Sequence, residues 1–231
     1  TLPTMGTGGA GGPISERAQA RMEAEGGPLL VEDWARILFV HYEVEPAALQ
    51  PQVPFELDTW AGRAFVSLTA FYGHGLRPVM LGEAGRWLAK PGQFPFILNV
   101  RTYVHHEGQP GIHFLAEWIP NVFAAAAGRM CFGLPFRTGR LDYRHDEERL
   151  AGRIDGRRGR LRYAVDLPHD PHFATAARDS RDEWLLERYV AFTAWRGCAR
   201  FFRVWHPAWP QIPVDARVLD ESLLHETGPW F

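Results

Sequence analysis

The residues best placed to do chemistry lie in one short segment and its successor. From Phe96 to His105 the chain alternates, with Phe96, Leu98, Val100, Thr102 and Val104 on one side and Ile97, Asn99, Arg101, Tyr103 and His105 on the other. The first set suits a core; the second is a polar face carrying an amide, a guanidinium, a phenol and an imidazole. The next segment, joined through HEGQPG, divides into Ile112, Phe114, Ala116 and Trp118 against His113, Leu115, Glu117 and Ile119. Glu117 is thereby expected within reach of Arg101. In a closed barrel a polar inward face lines a lumen, where an arginine, a tyrosine and a carboxylate can hold a small acid or polar ligand. The competing reading is a solvated face, or an internal Arg101–Glu117 ion pair.

Other chemistries find less support. His105, His106, His113 and the HDPH run with His169, Asp170 and His172 do not assemble three or four convergent metal ligands, because adjacent strand residues face opposite ways and HDPH sits at a proline-flanked turn. No metal and no other cofactor is therefore expected. No serine stands in GxSxG, neither cysteine has a recognisable base, and neither a P-loop nor HExxH occurs. Gly6, Gly8 and Gly11 satisfy GxGxxG, but no strand precedes them and no βαβ unit follows. Lys90 is the single lysine among 25 basic residues, so amine chemistry has one candidate. The aromatic run FFRVWHPAWPQIP is expected to wall or plug a barrel, with Trp205 and Trp209 as candidate stacking residues, and Glu187, Arg188 and Tyr189 offer a helix-end salt bridge or a site.

These residues need a scaffold, and the pattern is that of β structure. RILFVHYEV, RAFVSLTAFY, FILNVRTYV, GIHFLAEWI, LDYRH, RLAGRI, RLRYAVDL and ARFFRVWH are short aliphatic and aromatic runs separated by Gly, Pro and Asp. Successive antiparallel strands are expected. Helices are few: EPAALQ with Pro46 in its first turn, NVFAAAAGRMCF after an Asn121 cap, and SRDEWLLERYVAF, opened by Ser180 and Glu183 and passing into a strand near Ala191. Residues 73–95, with five glycines and three prolines, suggest a long loop. Residues 1–28 suggest a flexible N-terminal arm with a short helix capped by Ser15, and 29–231 a single domain. The start at Thr1, without methionine, suggests a trimmed N-terminus.

Length and composition agree. The 231 residues are 46% hydrophobic and 23% charged, with a formal net charge of -2, which fits one large folded domain and offers no basic field for nucleic acid. No apolar run approaches about 18 residues and no signal peptide is visible, so no membrane role and a cytoplasmic location are expected. Cys131 and Cys198 lack framework spacing and suggest two buried, reduced thiols.

DWARILFVHYEVEPAALQPQVPFELDTWAGRAFVSLTAF, NVRTYVHHEGQPGIHFL, RMCFGLPFR, LLERYVAFT and VWHPAWPQ resemble, in order and spacing, the YqjF-like family, a bacterial domain family of unknown function, over about residues 33–212. That family is similar in fold to acetoacetate decarboxylase, which implies a mainly β (α+β) fold: an antiparallel β-barrel-like structure with a central cavity and a few flanking helices. The decarboxylases form a Schiff base through a lysine that follows a proline, with a second lysine beside it. The matching segment here reads GRMCFGLPFR, which puts Phe136 at the nucleophile's place and Arg137 at its neighbour's. A glutamate usual two residues before the Asn of NVRTYV is replaced by Ile97. Phenylalanine forms no imine, so the resemblance implies a carboxylate-binding cavity, with Arg137 and Arg129 adding positive charge, rather than a decarboxylase.

Two functions follow as expectations. The first is a cavity that binds a small carboxylate or polar metabolite, or acts on it without a lysine nucleophile, through Arg101, Tyr103, Glu117, Arg129 and Arg137. The second is a protein interaction or oligomerisation module with a packed barrel and no small-molecule site, its partner face at the aromatic C-terminal end. The decarboxylases' assembly implies a homo-oligomer.

Overall fold

The computed structural model describes residues 14–82, 95–195 and 197–231. Helix α1 (Ile14–Ala24) leads into strand β1 (Leu30–Val44), a short helix α2 (Pro46–Leu49) and strand β2 (Glu56–Leu57). Strands β3 (Ala64–Pro78), β4 (Phe96–His106) and β5 (Gln109–Ile119) follow, then helix α3 (Val122–Phe132) and strand β6 (Phe136–Thr138). Strands β7 (Arg140–His145), β8 (Arg149–Asp155) and β9 (Arg160–Asp166) come next, with β10 (Ala174–Thr175) and helix α4 (Arg181–Leu186). Strands β11 (Val190–Trp195), β12 (Cys198–Arg203), β13 (Pro210–Gln211) and β14 (Arg217–Asp220) complete the order.

The main sheet runs β1-β3-β4-β5-β11-β12, with β2 added to β4 and β6 to β5. Among the described residues this path ends at β1 and β12, so the sheet is open where a barrel would close. Nor is it wholly antiparallel: β11 and β6 both lie parallel to β5. A second, antiparallel sheet, β14-β9-β8-β7, packs across one face of the first. There Leu38, Leu68, Leu98, Val100 and Trp118 meet Leu141, Ile154, Leu161 and Val165 in the largest core cluster. The gap left between the sheets, lined by Leu38, Val40, Leu68, Leu98, Leu161 and Tyr163, has room for one water at most.

The other face of the main sheet is covered by helices. Asn121 caps α3 by accepting from the Ala124 N–H, and Gly133 ends it in the left-handed region at φ 67°. Gly128 lets α3 lie on the Phe136 ring, since a Cβ there would come within 2.2 Å of it. Ser180 caps α4 by accepting from the Glu183 N–H, while the Glu183 carboxylate accepts from Asp179 N rather than from the cap residue. Leu185 and Leu186 then pack with Phe65, Tyr103, Ile112 and Phe114.

Several expectations are corrected. Residues 73–78 continue β3 instead of opening a loop, because β1 starts at Leu30 and pairs with them; 83–94, Lys90 included, fall outside the described residues. Both cysteines are exposed, Cys131 on the outer side of α3 and Cys198 at the tip of the β11–β12 hairpin. Of the N-terminal arm, 14–24 form α1, which contains Ser15 rather than being capped by it; Trp205 Nε1 donates to the Ser15 carbonyl and Arg203 pairs with Glu25. No described helix is long and apolar enough to cross a membrane.

Candidate functional site

The helix-covered face of the main sheet carries a buried polar layer. Thr69 on β3, Asn99 on β4 and Glu117 on β5 are register partners across three adjacent strands, and Ser67 and Arg101 are partners two residues along. None of the five is more than 8% exposed. Thr69 Oγ1, Asn99 Oδ1, Glu117 Oε2 and Arg101 Nε nevertheless have no hydrogen-bond partner among the described residues. Each such atom costs about 1–3 kcal/mol. Four on one face therefore require an explanation.

Arg101 is the centre of the layer's electrostatics. Its Nη2 donates to the Leu185 carbonyl at 3.3 Å, and its guanidinium lies 5.2 Å from the Phe39 ring centre. No carboxylate stands within ion-pairing distance of it among the described residues. Arg188, by contrast, donates to Asp58 Oδ2 at 2.7 Å and sits over the Trp184 and Tyr103 rings. Burial, with Arg101 adding to it against the pull of Asp58, lowers the Arg188 pKa. Burial and then the Arg101 charge push His41 down to about 4. His206 is likewise pushed down to about 4, chiefly by burial, with its ring stacked between Tyr189 and Trp209. Both imidazoles are neutral at pH 7.

Two further features complete the layer. His41 Nδ1, Ser67 Oγ and Tyr103 Oη form a hydrogen-bonded chain with spacings of 2.7 and 2.6 Å. Burial alone pushes Glu117 up to about 8, so its carboxyl is neutral at pH 7. The layer thus holds two guanidinium charges, one of them paired with Asp58, and a neutral acid at Glu117, while Glu187 and Glu32 hold the aromatic wall at its edge. Among the described residues no group of His, Cys, Asp and Glu could hold a metal ion.

Comparison with known proteins fixes the family. Residues 31–229 match the model of DUF2071, an uncharacterised conserved protein family. The chain belongs to this family. It is 30% identical over 198 residues to the uncharacterised protein YqjF of Bacillus subtilis (strain 168), covering 82% of this chain and 78% of that one. The DUF2071 chain also shares its fold with an acetoacetate decarboxylase structure at TM-score 0.52 and 15% identity, over 83% of this chain and 75% of that one. A second, from Legionella pneumophila, matches at TM-score 0.48 and 15% identity over 68% of this chain; the DUF2071 chain spans only 55% of its length. At 15% identity the match at TM-score 0.52 is a likeness of fold alone.

Within this DUF2071 chain the structure brings together Arg101, Tyr103 and Glu117 but not Arg129 or Arg137. Arg137 is the register partner of Trp118, not of Glu117, and so faces the other way, 5.3 Å from the Trp118 ring centre with Nη1 donating to the Glu226 carbonyl. Arg129 is on the exposed side of α3 and bonds back to the Ala125 carbonyl. Phe136 does stand beside Glu117 in register, packed with Ile119 and Ala125. The Arg101–Glu117 ion pair of the competing reading does not form: Asn99 stands opposite Glu117, and beyond it a bulge between Val100 and Arg101 sets Phe114 opposite Arg101. The bulge also moves Ile112 and Phe114 to the helix-covered face while Ala116 and Trp118 stay in the sandwich core. Thr69, Ser67, His41, Asp58 and His206 were not singled out as site residues by sequence; the available signal for two of them was the pair of hydroxyls interrupting the apolar run of β3. Glu187 accepts from Trp209 N and from the Tyr189 hydroxyl, so that triplet braces the aromatic wall, and Trp209 stacks on His206.

Proposed function

We propose that the buried polar layer binds a small molecule through its carboxylate, with Arg101 as the anion's partner and without Schiff-base chemistry. One observation carries this reading: Arg101 is a buried guanidinium whose Nε is unpartnered and which no carboxylate neutralises among the described residues. A buried charge is strongly unfavourable unless paired, and a guanidinium takes a carboxylate in a two-pronged geometry. Arg188, held by Asp58 and stacked on Trp184 and Tyr103, adds positive potential and keeps its own Nη2 free of a partner. Phe136 beside Glu117 supplies an apolar wall where a decarboxylase would need its lysine. Imine formation would fall to Lys90 alone.

The test is a thermal-shift screen of small carboxylic acids on the wild type and on Arg101→Met. A ligand at a hundred times its Kd adds about 2.7 kcal/mol, and each kcal/mol moves Tm by about 2–4 °C in a domain of this size. Acids that stabilise the wild type and not Arg101→Met support the reading. Acids that stabilise both equally place the anion elsewhere and overturn it.

A further inference from the structure

Resting on the Arg101 reading, we infer that the bound acid also carries an amine, its ammonium group received by Thr69 Oγ1, Asn99 Oδ1 and Glu117 Oε2. The three unpartnered atoms in this row are all oxygens, and they sit at corresponding positions on three neighbouring strands. An ammonium group offers three N–H donors and no acceptor, which is the complement of such a row. Neighbouring strands lie about 4.8 Å apart, which is the separation of two oxygens that each accept from one tetrahedral nitrogen at about 2.9 Å; Thr69 and Glu117 stand two strands apart, so the third contact falls to the reach of the longer Glu117 side chain. Arg101 follows Asn99 by two residues on the same face, so one short molecule can reach both.

The choice of a carboxyl at position 117 points the same way. A bound hydroxyl or a water would be served as well by a glutamine, which carries no burden of ionisation in a buried site. A glutamate uses its charge only against a cation. With a zwitterion in place, Arg101 has an anion, Glu117 has a cation, and the unpartnered atoms of Thr69, Asn99, Arg101 and Glu117 are satisfied, leaving no uncompensated charge from either end of the ligand. Free Glu117 holds its proton at pH 7 through burial alone. Binding an ammonium group therefore drives that proton off. The charged or titratable side chains on the same sheet face are Arg101 and Tyr103 on β4 and His41 on β1; Glu32 on β1 bonds to Trp34, and Arg129 and Cys131 on α3 and Arg181 and Asp182 on α4 are exposed, with Glu183 half-buried at the α4 cap. His113 on β5 and Arg137 on β6 turn to the other face, toward Phe55 and Trp118.

The experiment compares, by calorimetry, matched amino, hydroxy and unsubstituted carboxylic acids of two to five carbons on the wild type, Glu117→Gln and Arg101→Met. The amino acids are expected to bind the wild type at least tenfold tighter than their hydroxy counterparts. Glu117→Gln levels the two without weakening the unsubstituted acids, and Arg101→Met removes binding of all three. In unbuffered solution at pH 7 the wild type releases about one proton per amino acid bound, and affinity climbs by up to about tenfold per pH unit until Glu117 ionises by itself. Equal binding of amino and hydroxy acids, a flat pH profile without proton release, or an amine preference that survives Glu117→Gln overturns the ammonium site while the Arg101 reading stands. Should the unsubstituted acids bind wild type and Arg101→Met alike, or none of the acids bind the wild type, both readings fall together.

Discussion

The two faces of the main sheet are made by the same strands and obey different rules. On the sandwich face, hydroxyls find partners: Tyr143 donates to the Ile97 carbonyl, Tyr72 to the Tyr143 carbonyl, and Tyr163 Oη lies 2.7 Å from His145 Nε2. Trp118 Nε1 is the exception there. On the helix-covered face, four polar atoms of Thr69, Asn99, Arg101 and Glu117 stay unpartnered at equal depth. Burial is therefore not what separates core from site in this molecule. The difference lies in whether buried polar groups find partners within the described chain, and the proposed ligand site rests on the face where several do not.

The contrast can be broken most forcefully at its hinge. Asp58→Ala leaves Arg188 buried without its counter-ion and is expected to cost about 3–5 kcal/mol, read as the largest fall in Tm of any single substitution considered. Next, Leu98→Ala on the sandwich face should cost about 2–5 kcal/mol, whereas Thr69→Val on the opposite face should change stability by less than about 1 kcal/mol or raise it, because it removes a hydroxyl that has no partner. Denaturant titrations of the pair give that difference directly. A Thr69→Val penalty as large as that of Leu98→Ala would make the second face an ordinary core.

The third prediction uses pH. Glu117 has its pKa raised by burial, so the folded state keeps the proton longer than the unfolded one. The stability it contributes is complete below the unfolded carboxyl's pKa of about 4.3 and is lost as pH rises toward about 8. Glu117→Gln should accordingly gain on the wild type across that window, in Tm measured from about pH 5 to pH 8. His145, on the sandwich face, is shifted the opposite way: burial lowers its pKa. Its contribution is present above the unfolded imidazole's pKa of about 6.5 and is lost as pH falls through the folded value. A small effect is also expected at Arg137→Ala, about 1 kcal/mol for a lost charge-assisted hydrogen bond to Glu226 and the Trp118 ring contact, with the response to carboxylic acids unchanged.

What was legible in the sequence was periodicity wherever a strand is regular. The alternation of β4 assigned Asn99, Arg101 and Tyr103 to one face, and the caps at Asn121 and Ser180 located α3 and α4. The alternation of β5 misled because one extra residue at the bulge exchanges the two sides, and nothing in LAEWI announces it. Arg137 was misplaced for a related reason: whether Phe136 or Arg137 faces the site is set by the parallel register of β6 on β5, a tertiary fact. β1 began earlier than expected because the polar stretch before Ile37 includes Arg36 at φ 53°, a conformation no strand pattern suggests. The layer's contributors from β1 and β3, and the Asp58–Arg188 clasp, join residues far apart in the chain, which local patterns do not reveal.

The most direct test of the central claim is to follow the Arg101 Nε–H resonance in ¹⁵N-edited NMR spectra, assigned by its loss in Arg101→Met, while a stabilising carboxylic acid is titrated in. A buried N–H without a partner should gain a carboxylate acceptor, and the account predicts a saturable downfield proton shift at Arg101 with the Arg137 signal unmoved. An unmoved Arg101 signal on titration with an acid that raises Tm would show that the anion is held elsewhere and contradict the account.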